Sequence, residues 1–179
     1  MFRNILVSVD GSPDAERALA EAIDIANASR ARLTILTAVC TPPVWAYTPS
    51  SVAAIQSLTP ELERESKEIL AAAVASVPDS IPVTSILSRR PVRKALSREL
   101  ASGCYDLLVM GSRGRGAFAA SLFGSVSHFA LNHSEIPVLI VHAERPARRR
   151  LAGQTRTMDV WQTQPLPNSS AASSSIAPS

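Results

Sequence analysis

Cysteine is nearly missing from this 179-residue chain: Cys40 and Cys104 are too few for a disulfide framework and read as free thiols of a reducing compartment. Long apolar runs are missing as well, none approaching the roughly 18 residues that a membrane-spanning helix requires. The opening MFRNILVSVD enters a charged strand directly, without the layout of a signal peptide, so the expected location is cytoplasmic. Histidine and cysteine nowhere cluster at metal-ligand spacing. His128 and His133, five apart on one expected helix, do not share its face as a metal pair would. No Gly-Lys-Ser/Thr occurs, which excludes a Walker A loop, and Gly114-Arg115-Gly116 lacks the later glycine of a dinucleotide fingerprint. No Ser-His-Asp arrangement can be argued from spacing.

A basic partner surface is missing from most of the chain. Residues 1–144 carry 13 Lys and Arg against 14 Asp and Glu, a net of −1, so the overall +3 belongs to the last segment. Residues 145–179 hold five arginines (145, 148, 149, 150 and 156) against Asp159, then become rich in Pro, Ser and Ala without periodicity. This reads as one domain over 1–144 followed by a basic, then disordered tail. The arginine cluster has no aromatic interleaving, so a solvated linker is expected rather than nucleic-acid binding.

What the chain does have is GSRGRGAFAASLFGS, from Gly111 to Ser125. It follows the apolar run Leu107-Leu108-Val109-Met110 and precedes an apolar segment with helical spacing around Val126, Phe129 and Ala130. That order is strand, glycine loop, helix start. Glycines let backbone N–H groups approach an anion, and a helix start offers unpaired donors with a partial positive charge. The pattern G-x2-G-x9-G-S is far more specific than two glycines three apart. At the N-terminus, Ile5, Leu6, Val7 and Val9 form a buried strand ending at Asp10, with Gly11 turning, Ser12 capping and Pro13 starting a helix.

The loop resembles the nucleotide-binding signature of the universal stress protein family, in its ATP-binding branch. ILVSVDGSPDAERAL, DLLVMGSRGRG and IPVLIV are similar to further family segments, so the resemblance spans about residues 2 to 143. The reading by element is strand 3–9, helix 13–29, strand 32–39, helix 60–77 starting at Thr59-Pro60-Glu61, strand 81–87, helix 91–102, strand 105–110, helix 125–134 and strand 136–142. Such alternation implies an α/β fold, a parallel sheet covered on both faces. The resemblance implies one five-stranded, Rossmann-like (adenine nucleotide alpha hydrolase-like) sheet in the order 3-2-1-4-5. Its switch point then lies between strands one and four, at Asp10 and Gly111, where ligands of open sheets bind.

The resemblance also implies a site. Backbone N–H groups of Gly114, Gly124, Ser125 and Val126 would hold phosphate oxygens, with the hydroxyls of Ser125 and Ser127 donating beside them. Gly111 would admit the ribose, and Val39 or its neighbour Ala38 would meet the adenine edge. Asp10 suits a ribose hydroxyl or a hydrated Mg²⁺, or else caps its own loop at Ser12 or Gly11. Arg113 and Arg115 either approach a triphosphate or face solvent. Trp45 and Tyr47, in a Pro-rich loop at 41–59, either cover a base or are incidental. Arg89-Arg90-Pro91 stands where the family usually has a glycine before the third helix, and Ala38 where it often has a histidine.

The expected ligand is therefore an adenine nucleotide, ATP with Mg²⁺, bound by a stress-response switch or binding module. The alternatives are a slow ATPase, or an AMP or cyclic-AMP protein on the same site. The family commonly pairs its last strand with its twin, which implies a homodimer through Ile136–Val141.

Overall fold

A computed structural model describes residues 1–39, 52–115 and 123–143. Cys40, the loop aromatics Trp45 and Tyr47, and the segment 145–179 lie outside the described residues. The elements are β1 (Asn4–Ser8), α1 (Pro13–Ser29), β2 (Arg32–Ala38), α2 (Val52–Ala75), β3 (Val83–Ser88), α3 (Val92–Ala101), β4 (Leu107–Gly111), α4 (Ser125–His133) and β5 (Val138–Val141). The strands pair in parallel in the order β3-β2-β1-β4-β5, as expected from the resemblance.

Strand alternation divides the core into two layers. Ile5, Val7, Leu33, Ile35, Leu107 and Val109 pack beneath α1 and α2, against residues such as Ala18, Ala22, Leu70 and Ala73. The intervening Leu6, Leu36, Leu108 and Met110 pack on the other face against Ala95 and Leu96 of α3 and Ala130 of α4. Every residue of β4 is buried, as a central parallel strand covered on both faces requires.

Helix α1 begins where Ser12 caps it, its Oγ accepting from Ala15 N at 3.3 Å, with Pro13 at the first helical position. Its buried stripe is mostly alanine (15, 18, 22 and 26), which lets it lie close over the sheet. It ends at Arg30, whose φ of 55° is the one positive φ among the described non-glycine residues. Glycine is usual at such a left-handed helix end.

Helix α2 differs from expectation. It starts at Val52, seven residues before the Thr59-Pro60-Glu61 start signal, and runs through Pro60. Pro60 donates no backbone hydrogen bond, but the Thr59 hydroxyl donates to the Ile55 carbonyl at 2.8 Å, and buried Ile55 anchors the added turn.

Arg89, in the β3–α3 connection, forks onto Glu63 of α2 with bonds of 3.1 and 2.8 Å, and Lys67 adds a third at 3.0 Å. These cations, Arg89 first, hold the Glu63 carboxyl at about 2, well below the usual 4.5. A depressed folded pKa means stability present above pH 4.5 and lost as pH falls toward 2. Carbon-detected NMR titration is expected to show Glu63 ionised until near pH 2, and Arg89→Ala should move its midpoint back toward the ordinary range.

Candidate nucleotide site

Strand order reverses between β1 and β4, which are hydrogen-bonded neighbours. The chain leaves β1 toward α1 on one face and leaves β4 toward α4 on the other. The carboxyl ends of these two strands therefore open a crevice at the switch point. Asp10 to Ser12 forms one lip, and Ser112 to Arg115 the other.

The lips are laced together. Asp10 Oδ1 accepts from Ser12 N at 3.1 Å and Ser12 Oγ at 2.6 Å, while Oδ2 accepts from Arg115 N across the crevice at 2.9 Å. Asp10 thus caps its own loop, the alternative the sequence offered, and it stands at the crevice as well. Gly114 rests directly on it: a Cβ there would collide with Asp10 Oδ2. Ser12 Oγ also lies 3.2 Å from Arg113 O.

Behind the loop lies a cluster that sequence reasoning missed. Asp14, on the first turn of α1, accepts from Ser112 Oγ at 2.5 Å and Arg113 N at 3.1 Å through Oδ2, and from Ala143 N at 3.1 Å through Oδ1. His142 Nδ1 stands 3.3 Å from the same Oδ2 and 2.8 Å from Ser112 Oγ. Burial alone would raise the Asp14 pKa, but the Ser112 and Ala143 hydrogen bonds and the nearby imidazole outweigh it and hold it below the ordinary value. Ser112, His142 and Asp14 do not form a nucleophilic relay. The Ser112 hydroxyl is buried, and it and the imidazole converge on one carboxylate oxygen rather than aligning in series.

The expected site residues fall into distinct places. Gly111 ends β4, where a Cβ would sit 2.8 Å from Ala15 N and from the Asp14 carbonyl carbon, so its bareness lets α1 press onto the strand. Gly124 spends its N–H on Ser112 O at 2.7 Å, so that donor is already taken. Ser127 points inward: its buried hydroxyl donates to Ser112 O at 2.7 Å and lies 3.0 Å from Gly124 O, clasping the loop instead of facing the crevice. The N–H groups of Ser125 and Val126 stand in the first turn of α4, where no intrahelical acceptor exists. Arg113 lies part-buried with Nη2 at 3.4 Å from His142 Nε2, and its Nε is buried without an acceptor among the described residues. Arg115 pairs with Glu65 of α2, and this contact, led by its hydrogen bond, lowers the Glu65 pKa. Val39 follows β2 with its side chain buried and its N–H donated to Ser88 O at 2.8 Å.

Other residues are structural. His133 stacks on Phe129 with ring centroids 4.3 Å apart, and Asn132 Nδ2 donates to the His128 carbonyl at 2.7 Å. Asp106 accepts from Arg3 N and Asn4 N at 2.7 and 3.1 Å, fixing the start of β1.

Fold, switch point and glycine loop together define an open-sheet α/β domain with a crevice at its switch point, and the comparisons place it. The model of the universal stress protein family matches residues 1–142, and the chain belongs to that family. A universal stress protein of Thermus aquaticus is 32% identical over 141 residues, covering 79% of this chain and 99% of that protein. Among solved structures, the universal stress protein UspA of Lactobacillus plantarum superposes with a TM-score of 0.67 at 22% identity, covering 78% of this chain and 97% of that one. The universal stress protein of Archaeoglobus fulgidus in complex with dAMP gives a TM-score of 0.55 at 20% identity, covering 78% and 97%.

Proposed function

We propose that the crevice between Asp10 and the Gly111–Ser125 loop binds ATP with Mg²⁺, and that occupancy switches this chain's assembly or partner choice in a cytoplasmic stress response. The observation that carries this reading is the open first turn of α4 at the switch point, where the N–H groups of Ser125 and Val126 have no intrahelical acceptor. Bare Gly114 and the Asp10 carboxylate bound the same crevice, and the backbone of Val39 at the end of β2 would meet the base edge. Asp10 accepts three hydrogen bonds among the described residues, from Ser12 N, Ser12 Oγ and Arg115 N, which leaves about one lone-pair site for a ribose hydroxyl or a water of hydrated Mg²⁺. No group of three or more His, Cys, Asp or Glu is placed to hold a metal among the described residues, so Mg²⁺ would come with the phosphates and meet one carboxylate. The dAMP complex of a protein sharing this fold supports an adenine nucleotide as the ligand class.

Hydrolysis would be slow. The carboxylates bordering the crevice, Asp10, Asp14 and Glu65, are already hydrogen-bonded, and none is held ready to activate water. A second reading, a monophosphate such as AMP or cyclic AMP, is favoured by the Arg115–Glu65 pair, which draws one loop cation away from a triphosphate. Self-association through β5 belongs to the same proposal, since β5 pairs only with β4 among the described residues.

Calorimetric titration of ATP, ADP, AMP and cyclic AMP, with and without Mg²⁺, tests it. ATP is expected to bind at about micromolar Kd, and a Gly114→Asp, Gly124→Asp double variant to lose binding, because the first substitution sets a second carboxylate against Asp10. No binding by any of the four nucleotides would reject the site, and AMP binding tighter than ATP would select the second reading. Sedimentation of the same samples should show a dimer; a monomer at micromolar concentration would remove the self-association.

A further inference from the structure

We propose that the amino end of the sheet, opposite the crevice, holds a second anion site that takes an oligophosphate. Strands β1 and β2 both begin there, and their register sets Asn4 beside Arg32, with Arg32 N donating to Arg3 O at 2.8 Å. Helix α1 also ends there, at Arg30. Arg3, Arg30 and Arg32, with Phe2, Asn4 and Ser29, line an open cavity of about 620 Å³. That volume lies in the range of small-ligand sites, roughly 300–1,000 Å³.

The charges of this cavity are only partly offset. Asp106 sets a carboxylate nearby, its two oxygens accepting from the backbone N–H groups of Arg3 and Asn4, so its one negative charge meets three positive ones. None of the three guanidinium groups pairs with a carboxylate among the described residues, as is also true of Arg90 and Arg93, whereas Arg17, Arg64, Arg89, Arg98 and Arg115 do pair. Three like charges around one cavity repel until an anion joins them. Their planar forks match phosphate oxygens, and several forks on one cavity match a chain of phosphates better than a single carboxylate.

Arg30 adds an independent sign. It occupies the left-handed position that closes α1, where glycine would relax the backbone. A cation at a helix carboxyl end does offset the dipole. That role alone predicts that removing the charge weakens the fold and changes no binding, so the two accounts separate cleanly.

The test is ¹⁵N NMR titration of tripolyphosphate into the full chain at low salt, repeated with Arg30→Gly and Arg32→Ser. Saturable shifts are expected at the amides of Asn4, Arg30 and Arg32. Each substitution should weaken binding by about tenfold, the loss of one charge-assisted contact. Because glycine suits the backbone at this position, Arg30→Gly should melt at or above the wild-type temperature while losing the anion. A parallel ATP arm separates the sources: shifts at Arg30 and Arg32 with both probes admit a nucleotide's triphosphate, and shifts with tripolyphosphate alone restrict the site to the free chain. Shifts confined to the Gly114–Val126 side, no saturable shift, or undiminished binding by Arg30→Gly would overturn the proposal.

Discussion

Gly111→Ala is expected to cost the domain on the order of 3 kcal/mol, a large share of the 5–15 kcal/mol typical of a folded domain. The added methyl would lie 2.8 Å from Ala15 N and the Asp14 carbonyl carbon, and 2.9 Å from Asp14 Cβ. These atoms are main chain or fixed to it, so no rotamer change relieves the contact. Helix α1 would have to lift off β4, loosening Ala18 and Ala22 and dragging Asp14 from the loop it holds. Urea unfolding measures the cost. Gly103→Ala is the control: its φ is +67°, yet a Cβ there meets nothing within 4 Å, so only conformational strain of about 1 kcal/mol is expected. Equal, small shifts for the two variants would mean that α1 is not seated as described.

Asp14→Asn comes next, at about 2–3 kcal/mol, because a carboxylate amid donors has no uncharged equivalent. Ser112 Oγ, Arg113 N and Ala143 N all aim hydrogens at it. An asparagine can turn its oxygen to only one side, leaving its amide facing a donor on the other. The loss should appear in thermal melts at neutral pH and shrink in acid. The Asp14 pKa is lowered on folding, so its contribution is complete above the unfolded value of 3.8 and fades as pH drops through the folded one. Under the proposed function, ATP affinity should fall with it, by about tenfold, since the start of the loop would no longer be fixed. Asp14→Asn melting like the wild type at pH 7 would show the cluster to be incidental.

The fold was largely legible because its signals are local. Ser12-Pro13 marked the start of α1 to the residue, and the Leu107–Met110 run marked β4. The start of α2 was not legible, since Thr59-Pro60-Glu61 is a sound start signal that tertiary burial of Ile55 overrode. In the crevice, Gly114 stood out through the loop pattern and Asp10 through its place at the end of the first strand, while their contact depends on how the two lips meet. Asp14, Ser112 and His142 were silent. Each is a common polar residue with no periodicity, and their meeting depends on α1, β4 and β5 converging at one end of the sheet. The inward turn of Ser127 was hidden for the same reason, because spacing places a side chain on a helix without saying which acceptor it finds.

The bond from Ala143 N to Asp14 has a consequence for the order in which the protein is made. Its partners lie 129 positions apart, so it closes only after nearly the whole domain has left the ribosome. The β1–α1 unit and the glycine loop are synthesised well before His142 and Ala143 arrive to pin them. A nascent chain therefore carries its glycine loop, and the Asp14 that meets it, before the last bond to that carboxylate can form.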